Sequence, residues 1–340
     1  MTTKLANGPF CKTLDATVYY QANMNHKLDF TIIIPAKNEE RNIGNCLASI
    51  FSIDYDKHRY EVVVVDNGSE DRTNEIAKNM GATVYEKPGL TISGLRNFGA
   101  SQAQGNILVF LDADCTVKKN WLEAATPYLE MQDVAAFGSA PILPKDSTWV
   151  QRTWFHIREK KQTIEDVEWL ESMNMFIPRH VFFSVGGFDE SLITCEDYDL
   201  SKRLGRHGRI VSDKRIRAVH HGEAKTLTHF FLKERWRATS NYRNISTRIK
   251  NFSEWPSIVV PLVHLLLVVA LCTVLVYSLT GYSISMYFTV LFYLWQGALL
   301  LLAAWRTRPV RSLLSVAQLF VLLNVYFTAR GCAVLGSGRR

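Results

Sequence analysis

Charge is nearly absent from two long stretches in the last third of the 340-residue chain. Among Asp, Glu, Lys, Arg and His, residues 258–280 contain His264 alone, and residues 284–305 contain none. An α-helix needs about 20 apolar residues to cross the hydrocarbon layer. Because soluble helices seldom lack charge for so long, we interpret both stretches as membrane spans and disfavour the alternative, a buried helical core.

A third apolar stretch, residues 313–335, is interrupted by Asn324, Arg330 and Gly331. It could span the membrane with Arg330 extending to the interface, or it could be a re-entrant segment. The resulting topology would have about three transmembrane helices, all near the carboxyl end of the chain.

Cysteine pairs and an apolar leader are also lacking. No CxxC pair or metal-ligand spacing occurs, which excludes a disulfide framework and predicts free, reduced thiols. The first 27 residues are polar and mixed, so we expect no signal peptide and a cytoplasmic location for most of the chain. The six cysteines are Cys11, Cys46, Cys115, Cys195, Cys272 and Cys332.

The charge of the short connections predicts orientation. Residues 280–283 are neutral, whereas residues 306–311 carry three arginines. The positive-inside rule places the second connection, and with it the large N-terminal part, on the cytoplasmic face of the inner or plasma membrane. Residues 228–251 mix aromatic and basic side chains, which predicts an amphipathic helix on the inner leaflet; an ordinary surface helix is the alternative.

Up to about residue 251 the chain alternates strand and helix patterns, which indicates an α/β fold with a mostly parallel central sheet. Strands are predicted at residues 30–34, 61–65, 82–85 and 107–111, and helices at residues 38–51, 72–80 and 92–103. We divide the chain into an N-terminal extension (1–28), an α/β domain (29–226), an interfacial helix region (227–254) and a transmembrane region (255–340).

Polar clusters follow three of these strands, at residues 35–39, 66–69 and 112–114. Ligands of open α/β sheets bind beyond the carboxyl ends of the strands, so we expect the clusters to share one crevice. Asp112 and Asp114 repel each other unless a cation lies nearby, and Mg²⁺ or Mn²⁺ shared with substrate phosphates fits them. The alternative is that one aspartate caps a helix and the other faces water.

Four stretches carry a combined pattern: TIIIPAKNEERNIGNCLASI, EVVVVDNGSEDRT, GLRNFGASQAQGNILVFLDADC and GGFDESLITCEDYDLSKRLGRHG. Together they resemble the family 2 glycosyltransferases, which have the nucleotide-sugar-binding GT-A fold. The resemblance covers about residues 29–222 and implies inverting, metal-dependent transfer from a nucleotide sugar, with a UDP-linked donor expected.

The resemblance assigns expected roles to single residues. The implied donor-binding residues are Pro35, Ala36, Asn38, Glu39, Asp66, Arg96, Asp112 and Ala113. The implied ligands of Mn²⁺ or Mg²⁺ are Asp114, Asp112 and His220, with His221 as the rival of His220. A purely structural histidine remains the alternative reading of His220.

The implied catalytic residues are Asp197, as the base, and Glu196 in a supporting place. Asp197 opens a predicted helix, residues 198–204, and we expect the helix N-terminus to favour its ionised form. Simple helix capping by this acidic pair is the alternative.

The acceptor side departs from one pattern of the family. Processive membrane synthases carry QxxRW, whereas residues 232–236 read LKERW, which keeps Arg235 and Trp236 as acceptor or interfacial residues. With about three spans, we expect one sugar to be transferred to a lipid-linked or membrane-bound acceptor, in cell-surface polysaccharide or glycolipid synthesis. The alternatives are a processive synthase and a catalytically silent membrane partner of another transferase. No nucleic-acid partner is expected, and the oligomeric state stays open.

Two further features are assigned to the acceptor side. Residues 173–178 are predicted to line it. Trp149, Trp154 and Trp169 could stack on a sugar or a lipid, or pack in the core.

Overall fold

The computed structural model describes residues 28–157, 162–239, 242, 252, 255–279, 286–308 and 312–336. Almost all of the predicted N-terminal extension lies outside these residues. So does most of the predicted interfacial region beyond residue 239.

Strands and helices alternate from residue 30 to residue 184, and three long helices lie towards the carboxyl end of the described residues. The strands are β1 (Phe30–Ala36), β2 (Tyr60–Asp66), β3 (Thr83–Glu86), β4 (Ile107–Leu111), β5 (Cys115–Val117), β6 (Val134–Gly138), β7 (Ile164–Asp166), β8 (Asn174–Pro178), β9 (Arg209–Asp213) and β10 (Ala218–His220). The helices are α1 (Ile43–Phe51), α2 (Thr73–Asn79), α3 (Ile92–Gln102), α4 (Trp149–His156), α5 (Arg179–Ser184), α6 (Glu196–Leu204), α7 (Leu227–Arg237), α8 (Trp255–Leu279), α9 (Met286–Arg306) and α10 (Leu313–Cys332). Short 3₁₀ helices occupy Glu123–Glu130 and Ala333–Gly336.

Eight strands form one sheet in the order β3-β2-β1-β4-β8-β6-β9-β7, and β5 pairs with β10 in a separate antiparallel ribbon. Strands β1, β2, β3 and β4 run parallel, whereas β8 runs antiparallel to both β4 and β6. Every residue of β1 and β4 is buried, as expected for strands covered on both faces. The predicted α/β class with a mostly parallel sheet is confirmed.

Helix α1 begins five residues later than predicted, because the residues before it form a loop whose Asn38 hydrogen-bonds to the loop after β2. Asn38 has the left-handed φ of 55°, which a non-glycine residue seldom adopts. Its N–H donates to Ser69 Oγ at 2.8 Å, and its side-chain oxygen accepts from the Glu70 N–H at 2.9 Å. The loops after β1 and β2 are thereby fixed to each other. A helical start at residue 38 would remove these contacts.

Helices α8, α9 and α10 are each long and apolar enough to cross a membrane. His264 of α8 joins all three through its imidazole. Its Nδ1 accepts from Trp295 Nε1–H at 2.8 Å, which leaves Nε2 as the donor to Thr328 Oγ1 at 3.0 Å. Polar side chains within apolar, membrane-length helices need hydrogen-bond partners on neighbouring helices. His264, Trp295 and Thr328 supply such partners to one another.

Helix α10 is continuous, and Arg330 near its end is paired with a side chain of α7. Arg330 Nε lies 3.2 Å from Glu234 Oε2, and the guanidinium stacks 4.6 Å from the ring centre of Tyr326. Glu234 is 2% exposed, and Phe230, one turn earlier on the same face of α7, is 3% exposed. Helix α7 therefore packs its inner face against the membrane helices. The described part of α7 is therefore not an ordinary surface helix, because Phe230 and Glu234 on its inner face are buried.

Cysteine labelling tests the predicted orientation. Thr307 is buried, so the exposed Arg308 is the better position in the second connection. In a background with Cys11, Cys195, Cys272 and Cys332 replaced by alanine, Ser283→Cys should react with an impermeant maleimide added outside intact cells. Arg308→Cys should react only after permeabilisation. Labelling of Arg308→Cys in intact cells would contradict a cytoplasmic N-terminal domain.

Candidate functional site

The ends of β1, β2 and β4 meet at the carboxyl edge of the sheet, as the sequence predicts. Ala36 and Asp66 are paired neighbours in register on β1 and β2. Asp66 is 1% exposed, and its two carboxylate oxygens accept from the N–H and the hydroxyl of Ser69 at 2.9 and 2.5 Å. Since Ser69 also holds Asn38, one serine links the two predicted donor-binding loops.

Arg96 on α3 joins two of the predicted acidic motifs. Its Nη2 donates to Asp112 Oδ1 and its Nη1 to Glu196 Oε1, both at 2.8 Å. The Arg96 side chain is 3% exposed, and its guanidinium lies 5.4 Å from the centre of the Phe188 ring. Asp112 and Glu196 are thus fixed on either side of one buried cation. The predicted second role of Asp112, as a metal ligand, stays a prediction, because only its Oδ1 is engaged by Arg96.

Asp114 lies instead against His220, the last residue of β10. Its Oδ2 is 3.2 Å from His220 Nε2, and Nδ1 of the same ring is 3.2 Å from Glu223 Oε1. Burial opposes the charged imidazole, but the hydrogen bonds with the two carboxylates outweigh it and raise the pKa of His220 to about 10. Burial likewise works against ionised Asp114, but the hydrogen bond and charge of His220 prevail and lower its pKa.

Strand alternation separates the two candidate histidines. His220 is opposite Cys115 in the β5–β10 ribbon and is buried. His221 points the other way, with its Nε2 3.0 Å from Thr116 Oγ1, and is exposed. The structure therefore brings His220, and not His221, to the carboxylate of Asp114.

Within the described residues, Asp114, Cys115 and His220 form a group whose ligand atoms lie within 4.8 Å of one another. Burial, followed by the charges of Asp112 and Asp114, raises the pKa of the Cys115 thiol, so a carboxylate and an imidazole remain as the fitting donors. Burial also raises the pKa of Glu39, and Asp114 and Asp112 add to the shift. This surplus of negative charge fits Mn²⁺ or Mg²⁺ next to Asp114. A cavity of about 420 Å³ opens onto the same carboxylate.

Asp197 lies in the first turn of α6, after a residue with unusual backbone geometry. Cys195 has φ 67°, the left-handed region that is sparsely populated by non-glycine residues and recurs at functional sites. Asp197 Oδ1 accepts from the Tyr198 N–H at 2.8 Å. Burial, then the charges of Glu196 and Glu171, raise the pKa of Asp197 to about 7. The expected preference of a helix N-terminus for the ionised form is therefore outweighed by desolvation and like charge.

Sequence reasoning missed a chain of ion pairs that runs from His220 to the membrane helices. Glu223 lies 3.4 Å from Lys233 Nζ and 3.6 Å from Arg237 Nη2, and Arg237 Nη1 lies 2.8 Å from Glu234 Oε1. Glu234 in turn pairs with Arg330 of α10. The spacing of Phe230, Glu234 and Arg237 on one helical face was the available signal.

The predicted acceptor residues are divided between surface and interior. Arg235 is exposed, and Trp236 is 54% exposed on the outer side of α7, away from the ion pairs. Trp154 packs on Phe230 and Tyr326. The prediction that residues 173–178 line the acceptor side is wrong, because β8 is a fully buried inner strand of the sheet.

Gly222 makes possible the approach of Asp114 to His220. A β-carbon at position 222 would lie 1.8 Å from Asp114 Oδ2, so Gly222→Ala must displace the carboxylate. We expect at least about tenfold weaker Mn²⁺ binding to the purified chain, measured by titration calorimetry or electron paramagnetic resonance.

Gly44→Ala is the matched control, because its β-carbon would meet Ile76 at an ordinary 3.6 Å. Circular dichroism should show both variants folded. Unchanged Mn²⁺ binding by a folded Gly222→Ala variant would contradict the assignment of Asp114 as a metal ligand.

Residues 31–192 match the model of the family described as Glycosyl transferase family 2. The chain is 34% identical over 183 residues to glycosyltransferase AglE of Haloferax volcanii, which covers 51% of this chain and 60% of that protein. It is 28% identical over 195 residues to a beta-monoglucosyldiacylglycerol synthase of Synechocystis sp.. That alignment covers 52% of this chain and 40% of the synthase.

The fold is similar to that of a solved structure, a mannosyltransferase from Pyrobaculum calidifontis in complex with GDP-Man and Mn²⁺. The TM-score is 0.63 at 17% identity, and the alignment covers 95% of each chain. The chain spans 40–60% of the length of the two curated relatives above, so the similarity to them is confined to part of each protein. Residues 31–192 therefore form a family 2 glycosyltransferase domain. The chain has a GT-A-like fold, and three helices long and apolar enough to cross a membrane lie towards its carboxyl end.

Proposed function

We propose that this protein is an inverting, metal-dependent glycosyltransferase. It moves one sugar from a nucleotide sugar, with UDP as the expected nucleotide, to a lipid-linked or membrane-bound acceptor at the cytoplasmic face. The observation that carries the proposal is the contact through Arg96, which holds Asp112 and Glu196 within one hydrogen bond each of the same guanidinium. A donor-side acid and the acid next to the candidate base are thereby brought together.

The two loops joined by Ser69 form the proposed nucleotide site. Asp66 is oriented there by two hydrogen bonds with Ser69. Burial raises the pKa of Glu39, and the charges of Asp114 and Asp112 add to the shift, so Glu39 belongs to the same acidic surroundings. Asp114 and His220 would hold Mn²⁺ or Mg²⁺, and Glu223 would keep the remaining proton of His220 at Nδ1. When bound, such a metal neutralises charge on the diphosphate leaving group.

Asp197 is the proposed general base. The acceptor hydroxyl gives its proton to the Asp197 carboxylate as its oxygen bonds to the anomeric carbon. The bond from that carbon to the diphosphate breaks on the opposite face, and the nucleoside diphosphate leaves. A pKa of about 7 suits a base that works near neutral pH, because the ionised form that accepts the proton and the protonated form that results are both populated there.

A membrane acceptor is supported by the position of the site relative to the apolar helices. The ion pairs from Glu223 through Glu234 to Arg330 join the proposed metal site to α10. The Synechocystis relative is named for the synthesis of a glycosylated diacylglycerol. Three candidate spans are few for a channel built by one chain, which favours single transfer over processive synthesis.

Paired substitutions at the acidic motif test the assignment. Asp197→Asn should bind donor and Mn²⁺ normally, because a base is needed only as the acceptor attacks. Its turnover should fall roughly 10²–10⁴-fold. Donor affinity is measured by calorimetry across UDP- and GDP-sugars, and turnover by release of nucleoside diphosphate with a membrane-extract acceptor.

Glu196→Gln is the companion variant, and it should affect the chemical step less. Near-normal turnover of Asp197→Asn would remove Asp197 as the base. A wild-type chain that binds no nucleotide sugar in the presence of Mn²⁺ would instead support the silent-partner alternative.

The pH dependence of turnover should report the raised pKa of the buried Asp197. Because a base must be ionised, kcat/KM should rise through pH 7 and level off above it. Glu171 contributes negative charge to this shift, so Glu171→Gln should move the rising limb roughly 0.5–1 pH unit lower. Glu168→Gln, an exposed neighbour paired with Lys202, is the control and should leave the limb in place. A limb near pH 4 in the wild type would contradict burial as its cause.

A further inference from the structure

The last residue of α7, Arg237, contacts two separate parts of the α/β domain. Its Nη2 lies 3.6 Å from Glu223 Oε1, and its Nη1 lies 2.8 Å from Glu234 Oε1. Its carbonyl accepts from the Thr194 hydroxyl at 3.2 Å. One arginine therefore joins the segment after β10, through its side chain, to the loop before α6, through its backbone.

The guanidinium of Arg237 reaches the proposed metal site through Glu223. Glu223 Oε1, the oxygen that faces Arg237, is also the oxygen 3.2 Å from His220 Nδ1. Glu223 is 6% exposed, and Lys233 Nζ lies 3.4 Å from its other oxygen, so protein groups and not water set its direction. A proton held on Nδ1 leaves Nε2 of the same imidazole free to act as a ligand. The orientation of Glu223 therefore decides which nitrogen of His220 is turned towards Asp114.

The other side of the Arg237 guanidinium is fixed to the membrane helices. Glu234, which it contacts, is 2% exposed, and Glu234 Oε2 lies 3.2 Å from Arg330 Nε of α10. Arg237 thus lies between two buried carboxylates, and each needs a nearby cation to offset its desolvation. Loss of the guanidinium would leave Glu223 without one of the two cations that hold it.

The carbonyl of Arg237 is attached to the segment that leads to Asp197. The Thr194 hydroxyl donates to it at the carboxyl end of a helix, where carbonyls lack partners within the helix. Thr194 is 4% exposed, and the next residue, Cys195, has the left-handed φ of 67°. Glu196 and Asp197 follow as the first residues of α6. The end of α7 therefore contacts the entry to the helix of the proposed base.

We propose that Arg237 is a positioning residue of the transfer reaction. Its side chain orients Glu223 and, through Glu223, the imidazole of His220, while its carbonyl holds the loop before α6. The inference rests on the proposed function, since that function makes Asp114 and His220 the metal ligands and Asp197 the base. Arg237 acts through these neighbours and not on the reacting atoms.

Mn²⁺ binding by the full chain in a non-ionic detergent, without donor, tests the proposal. Glu223→Gln should weaken Mn²⁺ binding roughly 10–100-fold, as is typical when the partner of a metal ligand is changed. Arg237→Gln should weaken it roughly three- to tenfold, because Glu223 remains but is held less well. Arg237→Lys keeps the charge and should recover part of the loss. Titration calorimetry measures the affinity.

Arg206→Gln is the matched control. It removes the same charge from an exposed arginine after α6, and Mn²⁺ binding should not change. Circular dichroism should show every variant folded. Equal Mn²⁺ affinity of folded Arg237→Gln and Arg206→Gln would overturn the proposal.

A double substitution separates positioning from general destabilisation. If Arg237 acts through Glu223, adding Arg237→Gln to Glu223→Gln should weaken Mn²⁺ binding little further. Losses of affinity that multiply in the double variant would show that the two residues act independently, and the proposal would then be wrong.

Pulsed electron paramagnetic resonance of bound Mn²⁺ gives a readout that a loss of stability alone does not change. An imidazole ligand produces a nitrogen coupling, which should be present in the wild type and in Arg206→Gln. The coupling should be reduced in Arg237→Gln, because the His220 ring is no longer held in one orientation. An unchanged coupling in Arg237→Gln would count against the positioning role.

Sugar transfer is measured on the same preparations. A chain that transfers sugar, but whose Arg237→Gln variant binds Mn²⁺ like the wild type, refutes only the positioning role. A chain that transfers no sugar, but shows the expected loss of Mn²⁺ affinity in Arg237→Gln, refutes only the proposed transfer.

Discussion

The buried guanidinium of Arg96 is the interaction on which the site depends. Asp112 ends β4 and Glu196 begins α6, and each is held by one arm of this side chain at 2.8 Å. Breaking a buried ion pair by removing one partner typically costs about 3–5 kcal/mol, because the other charge stays desolvated. Arg96 therefore fixes the sheet edge to the helix of the candidate base. Burial raises the pKa of Asp197, and the charge of Glu196, which Arg96 holds next to it, adds to the shift.

A second chain of charges connects this site to the apolar helices. His220, Glu223, Arg237, Glu234 and Arg330 alternate in sign from the β5–β10 ribbon to α10. Each member is partly or wholly buried, so each needs its neighbour to offset desolvation. The arrangement fixes the Asp114–His220 site relative to α10.

Several elements were predictable because their signals are local. β4 was predicted with its observed limits, since five consecutive apolar residues precede the two aspartates. α1 was predicted too early, because its first residues are recruited by the loop after β2, a contact between positions about 31 residues apart. The three apolar helices were predictable from composition, but the partner of Arg330 was not, because Glu234 is 96 residues away along the chain.

The sequence by itself determined the alternation of strands and helices, the acidic clusters at strand ends and the apolar helices, since these depend on periodicity and composition within short windows. The tertiary structure decided which charges meet. Asp112 pairs with Arg96, and Asp114 pairs with His220. His220, and not His221, reaches Asp114 because His220 is opposite Cys115 in the β5–β10 ribbon. The tertiary structure also raised the pKa of Asp197, because desolvation and the approach of Glu171 exist only once α6 is packed into place.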